Sequence, residues 1–229
     1  MSDPHRLAGR RILITGEDSL LARRLGEHFS RFGALLDVDP APLDAGPPAS
    51  PEEGSRMVHE AVESLGGLDV LINTGPAALP AELVPSSPRG LSLEGMEHAL
   101  ERSMSLLVST TESAVREMGP GSSIVTTVLF ASPPYLLTPE QEALTEAVLD
   151  TTRGWADILS SRGIRVNAVA GGPEWAAESL AGDDDVQEAE LDPFVYLASR
   201  ESRCVTGSVL GVARAYEHAL EGIGGFRNR

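Results

Sequence analysis

The sequence contains no lysine: all 18 of its basic residues are arginine, set against 34 aspartates and glutamates, for a formal net charge of −16. Any chemistry that needs a lysine side chain is therefore absent at every alignment, and arginine is not its equivalent. The negative excess repels a phosphate backbone, and no arginine stripe is present to release counterions, so nucleic acid is excluded as a partner. There is a single cysteine, Cys204, which forms no intrachain disulfide and has no Cys or His neighbour at zinc-ligand spacing; it reads as a half-buried structural thiol in a reducing compartment. The five histidines, His5, His28, His59, His98 and His218, are scattered without a His-Glu-x-x-His pattern, so no metal site is expected. No apolar run approaches the roughly 20 residues needed to span a bilayer, and Met1 to Arg10 lacks the apolar stretch of a secretory signal. The expected location is the cytoplasm.

What is present is enough for one ordinary domain, 1–229, of which 41% is hydrophobic and 23% charged. Arg11 to Thr15 reads as a buried strand that turns at Gly16 into a helix from about Ser19 to Phe32, with Leu20, Leu21, Leu25 and Phe29 on one face. Gly33 closes that helix, and Ala34 to Val38 reads as a second buried strand ending at Asp39-Pro40. From Pro40 to Pro51 the chain carries five prolines and holds little regular helix, so the crossover after the second strand looks shortened or missing.

Alternation then resumes. Pro51 to Leu65 reads as a helix capped by Ser50, and Leu68 to Asn73 as a strand buried on both faces. Leu93 to Met118 is helical, Ser123 to Leu129 a strand, Pro139 to Arg162 a long helix and Arg165 to Ala170 a strand. An acidic loop at Asp183 to Asp185 precedes a helix near Asp192 to Ser199 and a last strand, Gly207 to Val212. This is an α/β pattern: one Rossmann-type, doubly wound parallel sheet with helices on both faces.

Four segments resemble the short-chain dehydrogenase/reductase family, in order and over about Leu7 to Val212. They are Arg11-Ile-Leu-Ile-Thr-Gly16, Leu68-Asp-Val-Leu-Ile-Asn73, Gly163-Ile-Arg-Val-Asn-Ala-Val-Ala170, and Leu197-Ala-Ser to Val205-Thr-Gly207. They are scaffold, and the site is where this chain departs. The family binds the pyrophosphate of a nicotinamide dinucleotide with Thr-Gly-x-x-x-Gly-x-Gly, whose glycines map here to Gly16, Leu20 and Ala22. The resemblance implies that Leu20 places an isobutyl group where backbone should approach the phosphates, with Glu17 and Asp18 adding charge of the wrong sign. Asp39 is the remaining candidate for holding an adenosine ribose; otherwise it is a solvated acid before a proline turn. The family's Asn-Asn-Ala-Gly becomes Asn73-Thr-Gly-Pro76.

By the same resemblance, the family's catalytic Tyr and the Lys four residues on would fall on Gln141 and Thr145, its Ser on Leu129 (or Val128), and its Asn on Ser103. An amide does not titrate and a threonine carries no charge, so neither transfers or tunes a proton. The nearest tyrosine, Tyr135, sits beside Pro133-Pro134 with Pro139 four residues on, outside any helix. Arg153 and Arg162 read as solvent-facing charges, and Glu142, Glu146 and Glu174 could meet over the old pocket.

No cofactor is expected on this chain. The family assembles through its two long helices and its last helix and strand, and Met104, Leu107, Val108, Val115, Leu144, Val148, Thr152 and Trp155 supply apolar positions there, or ordinary core. The resemblance thus implies a catalytically silent subunit of a hetero-oligomer, with NAD held only by an active paralogous dehydrogenase acting on a hydroxyacyl-type substrate. It resembles in kind the inactive partner of the hydroxyacyl-CoA dehydrogenase of anaerobic toluene (benzylsuccinate) degradation. The alternatives are a repurposed enzyme of non-redox dehydration, cyclisation or isomerisation, and a ligand-sensing regulator.

Overall fold

Each apolar run expected to be a strand is one; the inner strands are buried, while the two outermost are not, with Leu35 50% and Val209 38% exposed. In the computed structural model, which describes residues 3–17, 20–41, 50–74, 93–129, 139–171, 175 and 188–212, the strands are β1 (Arg11–Glu17), β2 (Leu35–Ala41), β3 (Val70–Asn73), β4 (Ser123–Leu129), β5 (Arg165–Gly171) and β6 (Val209–Gly211). They pair in parallel in the order β2-β1-β3-β4-β5-β6. The helices are α1 (Leu20–Ser30), α2 (Pro51–Leu65), α3 (Leu93–Glu117), α4 (Pro139–Ser160) and α5 (Glu188–Ala198).

Alternate residues of each strand face opposite layers. Ile12, Ile14, Val70, Ile72 and Val125 join α1 residues Leu21, Leu25 and Phe29 and α5 residue Phe194 in one core. Leu13, Leu71 and Ile124 join Val58, Ala114, Ala156 and Leu159 of α2, α3 and α4 in the other. A sheet covered on both faces explains why β3 and β5 are buried at every position. Each fully buried aliphatic side chain contributes about 1.5–3 kcal/mol. The expected punctuation also holds. Ser50 caps α2 by accepting from Glu53 N at 3.2 Å, with Pro51 following at the first helical position. Gly33 closes the α1 turn at φ 78°, a conformation that favours glycine.

The shortened crossover is borne out. In the common doubly wound order a further strand lies outside the second, whereas among the described residues the sheet begins at β2. Residues 42–50 are all that separate β2 from α2, too few for a crossover helix and a return strand. Residues 42–49 themselves lie outside the described residues.

Four expectations need correction. The second strand does not end at Asp39-Pro40: β2 runs to Ala41, with Gly16 opposite Pro40. Proline is tolerated because β2 is an edge strand and its N–H side needs no outer partner. The helix expected from Asp192 begins at Glu188 and contains Pro193 in its second turn, where the missing N–H forgoes the hydrogen bond to Ala189 O. Cys204 is exposed, not half-buried, because it lies in the turn between α5 and β6. Of the eight apolar bundle positions, Leu107, Leu144, Val148 and Thr152 are buried within the chain and offer nothing to a partner, while Met104, Val108, Val115 and Trp155 are half-buried. Ile158 of α4 is the exposed hydrophobic on that helix, at 69%.

Candidate active site

In an open parallel sheet, ligands bind outside the carboxyl ends of the strands where the strand order reverses. Here that point lies over β1 and β3, since β1 is followed in sequence by β2 on one side and β3 on the other. Gly16 is buried there at φ 127°, so the turn out of β1 needs glycine for its backbone conformation. Thr15 is fully buried, and its carbonyl accepts from Thr74 N at 2.7 Å, which ties the exits of β1 and β3 together.

Leu20 is the first residue of α1, at the helix N-terminus whose free N–H groups form the usual anion cradle. Its side chain lies outside the description, as do the side chain of Glu17 and the whole of Asp18. Ala22 is fully buried in the core shared with Leu21, Phe194 and Trp175, a close-packing role that its small side chain allows.

Asn73 is 2% exposed and engaged on both sides: its Nδ2 donates to Thr111 Oγ1 at 3.2 Å, and its Oδ1 accepts from Thr110 Oγ1 at 3.0 Å. The side chain therefore clamps β3 to α3. Asp39 lies opposite Thr15 in the β1–β2 register. Its carboxylate is 36% exposed and 3.9 Å from Arg56 Nη1, whose own hydrogen bond goes to Glu60 at 2.6 Å. Burial pushes the Asp39 pKa up, and the Arg56 guanidinium opposes this. Asp39 is not a freely solvated acid, because Arg56 on α2 faces it.

Gln141 and Thr145 fall one turn apart in the first two turns of α4, the spacing that puts two side chains on one helix face. Thr145 is half-buried. Ser103 lies within α3 and Leu129 ends β4; their side chains, and that of Gln141, lie outside the description. Val128, the alternative to Leu129, is buried in the core with Leu107 and Leu144. Glu142 and Glu146 are exposed on α4. Glu174, Tyr135 and Asp183 to Asp185 lie outside the described residues. Arg153 is exposed as expected and pairs with Asp150 at 3.0 Å. Arg162 does more, donating from Nη2 to Val115 O at 2.7 Å near the end of α3. Among the described residues, no group of three or more His, Cys, Asp or Glu could hold a metal ion. None of the described helices is long and apolar enough to cross a membrane.

Sequence reasoning missed Trp175. Its indole is 1% exposed, packs beside Phe194 and donates from Nε1 to Glu190 Oε2 at 3.2 Å; Glu190 is itself buried. The ring lies directly against Gly171, where an added Cβ would overlap it, so the carboxyl end of β5 is closed by an aromatic lid. The available signal was a tryptophan following Gly171-Gly-Pro: so large an apolar ring in a turn must find cover.

A family profile described as Enoyl-(Acyl carrier protein) reductase matches residues 22–192. The chain is 32% identical over 250 aligned residues to an uncharacterised oxidoreductase, YghA, of Escherichia coli (strain K12), covering 90% of this chain and 82% of that protein. It is 28% identical to general stress protein 39 of Bacillus subtilis (strain 168), covering 90% and 84%. Among solved structures, a short-chain dehydrogenase/reductase from Serratia marcescens BCRC 10948 superposes with a TM-score of 0.70 at 21% identity, over 91% of this chain and 98% of that one. The chain belongs to the short-chain dehydrogenase/reductase family.

Proposed function

We propose that this chain is a catalytically silent member of its oxidoreductase family, acting as a subunit that supports an active paralogous dehydrogenase. The observation that carries the reading is the pair Gln141 and Thr145, one turn apart on α4 in a chain with no lysine. At these positions relatives use a phenol to transfer the proton and an ammonium to tune it; an amide and a hydroxyl do neither at neutral pH. The residues present do not fit a nicotinamide dinucleotide either. Its pyrophosphate needs close backbone approach at the start of α1, where Leu20 stands. The asparagine on β3 is committed to Thr110 and Thr111, and no step is derived through the absent group.

In the proposed assembly NAD sits on the partner's sites and the hydroxyacyl-type substrate is the partner's. The exposed Ile158 and the half-buried Met104, Val108 and Trp155 support a contact through α3 and α4. The carboxylate that a non-redox enzyme would need in the old pocket finds no support in Glu142 or Glu146, which are exposed. The test is native mass spectrometry of the assembly drawn from its source, with calorimetry of the isolated chain against NAD, NADP and an acyl-CoA. Two subunit masses, and no dinucleotide binding by this chain alone, are expected. A homomeric assembly that binds dinucleotide and turns over without a companion would overturn the proposal.

A further inference from the structure

At the opposite edge of the sheet, where the strands begin, the turns preceding β1, β4, β5 and β6 enclose a cavity of about 520 Å³. Four of the chain's 18 arginines, Arg10, Arg165, Arg200 and Arg203, line it, and its wall contains no aspartate or glutamate. In a protein with nearly twice as many acidic as basic residues, such a wall is not what a random distribution of surface charge gives. None of the four has an ion pair among the described residues.

The two inner guanidiniums are held in place by neutral groups. Arg165, 7% exposed, donates from Nη1 to Ser202 Oγ at 2.7 Å and from Nη2 to Leu197 O and Ser199 O at 3.0 and 3.2 Å. Arg10 donates from Nε to Ala198 O at 3.3 Å and from Nη2 to Gly121 O at 3.1 Å. These carbonyls belong largely to the C-terminus of α5, whose partial negative charge orients the cations without neutralising them. The nearby carboxylates are bonded elsewhere, Asp69 to Arg11 at 2.9 and 2.8 Å and Glu201 to Arg6 at 3.0 and 2.7 Å, although the Asp69 charge also reaches Arg10. Burial, with Arg10 adding to it, pulls the Arg165 pKa down to about 10, the mark of a cation confined without a counter-charge. Arg200 and Arg203 are exposed at the rim.

We propose that this cavity is a binding site for the phosphate group of a small organic phosphate. Guanidinium forks match phosphate oxygens two at a time, and several converging cations suit a dianion better than a single carboxylate. Pro120, Ile164 and Val205 leave apolar wall for the organic part, and the volume exceeds what a bare phosphate fills. A nucleic acid strand is ruled out as occupant by the net charge of −16.

Cys204 gives the test a local reporter, since it is exposed, lines the same cavity and is the sole cysteine. Its alkylation by iodoacetamide is followed by intact mass at fixed pH and ionic strength, in chloride, inorganic phosphate or phenyl phosphate. Phenyl phosphate is expected to protect at lower concentration than inorganic phosphate, and both well below chloride. The double variant Arg200→Ser/Arg203→Ser, at two exposed positions, should weaken that protection by about tenfold or more. Arg116→Ser, at an exposed position on α3 away from the cavity, should leave it unchanged. The proposal falls if phosphate protects no better than chloride, if phenyl phosphate is no better than inorganic phosphate, or if the double variant binds as the parent does.

Discussion

The two edges of one sheet have been treated differently by this sequence. At the carboxyl edge, where the fold ordinarily does its chemistry, the described Thr15, Asn73 and Thr74 are turned inward. Asn73 is bound to two threonines under α3, the exits of β1 and β3 are tied through Thr15 and Thr74, and β5 is closed by Trp175. At the amino edge, ordinarily silent scaffold, guanidiniums converge on an open cavity with no carboxylate in its wall. The difference shows that scaffold and site are roles rather than places: one parallel sheet can turn one end into packing while gathering cations at the other.

Three experiments would break or sharpen that contrast, the largest effect first. Alanine at Gly171 would drive its Cβ into the buried Trp175 ring, which has no room to yield. Overpacking of this kind is expected to cost ~3 kcal/mol in a urea titration. At the amino edge, Gly163→Ala meets only the left-handed φ of 70° and a Pro120 contact of 3.2 Å, for ~1–2 kcal/mol. Equal costs would mean that the carboxyl edge is not the more tightly closed of the two.

The second experiment reverses the ranking. Arg165→Met would remove the donor to Ser202 Oγ and one of the donors to Leu197 O and Ser199 O, which keep Ser123 Oγ at 2.8 Å and Ser202 Oγ at 3.2 Å, for about 2 kcal/mol. Asn73→Ala should cost only about 1 kcal/mol, because Thr110 Oγ1 keeps Leu106 O at 2.7 Å as an acceptor. If Asn73 proved the costlier loss, the inward turn of the carboxyl edge would be carrying more of the fold than the arginine girdle does.

The smallest effect tests the helix layer joining the edges. His28 on α1 is 5% exposed, neither ring nitrogen has a hydrogen bond, and Asp192 Oδ1 on α5 is 3.6 Å from Nε2. Burial pushes its pKa below 6.5, with Asp192 and Glu188 opposing. The folded state therefore prefers neutral imidazole, and below pH 6.5 the unfolded chain binds the additional proton. This contribution to stability is full above pH 6.5 and is lost as pH falls through the lowered pKa, with a slope of at most about 1.4 kcal/mol per pH unit. His28→Leu should flatten that part of the stability–pH curve, and an unchanged slope would remove His28 from the account.

Most of the fold was legible because its signals are local. Apolar runs with a period of two or 3.6, Ser50 before Pro51, and Gly33 after a helical face each act within a few residues. The proline-dense stretch pointed to the shortened crossover for the same reason. Leu20, Gln141 and Thr145 can be counted from a motif, but the geometry around them cannot. Nothing local says that the Asn73 amide meets Thr110 and Thr111, 37 and 38 residues on, or that Trp175 reaches back over Gly171 to Glu190. The arginine cavity was invisible because Arg10, Arg165 and Arg200 converge only after β1, β5 and α5 have packed. Cys204 was misjudged because cysteine's usual burial is a property of cores, and this one falls in a turn.

Among the described residues the sheet ends at β2, and an edge strand offers a row of main-chain donors and acceptors to whatever extended chain drifts past, the usual seed of runaway stacking. Asp37, Asp39 and Pro40 lie on that strand and blunt it, two by repelling another acidic copy and one by offering no N–H. Neutral residues at 37 and 39 would remove much of that protection.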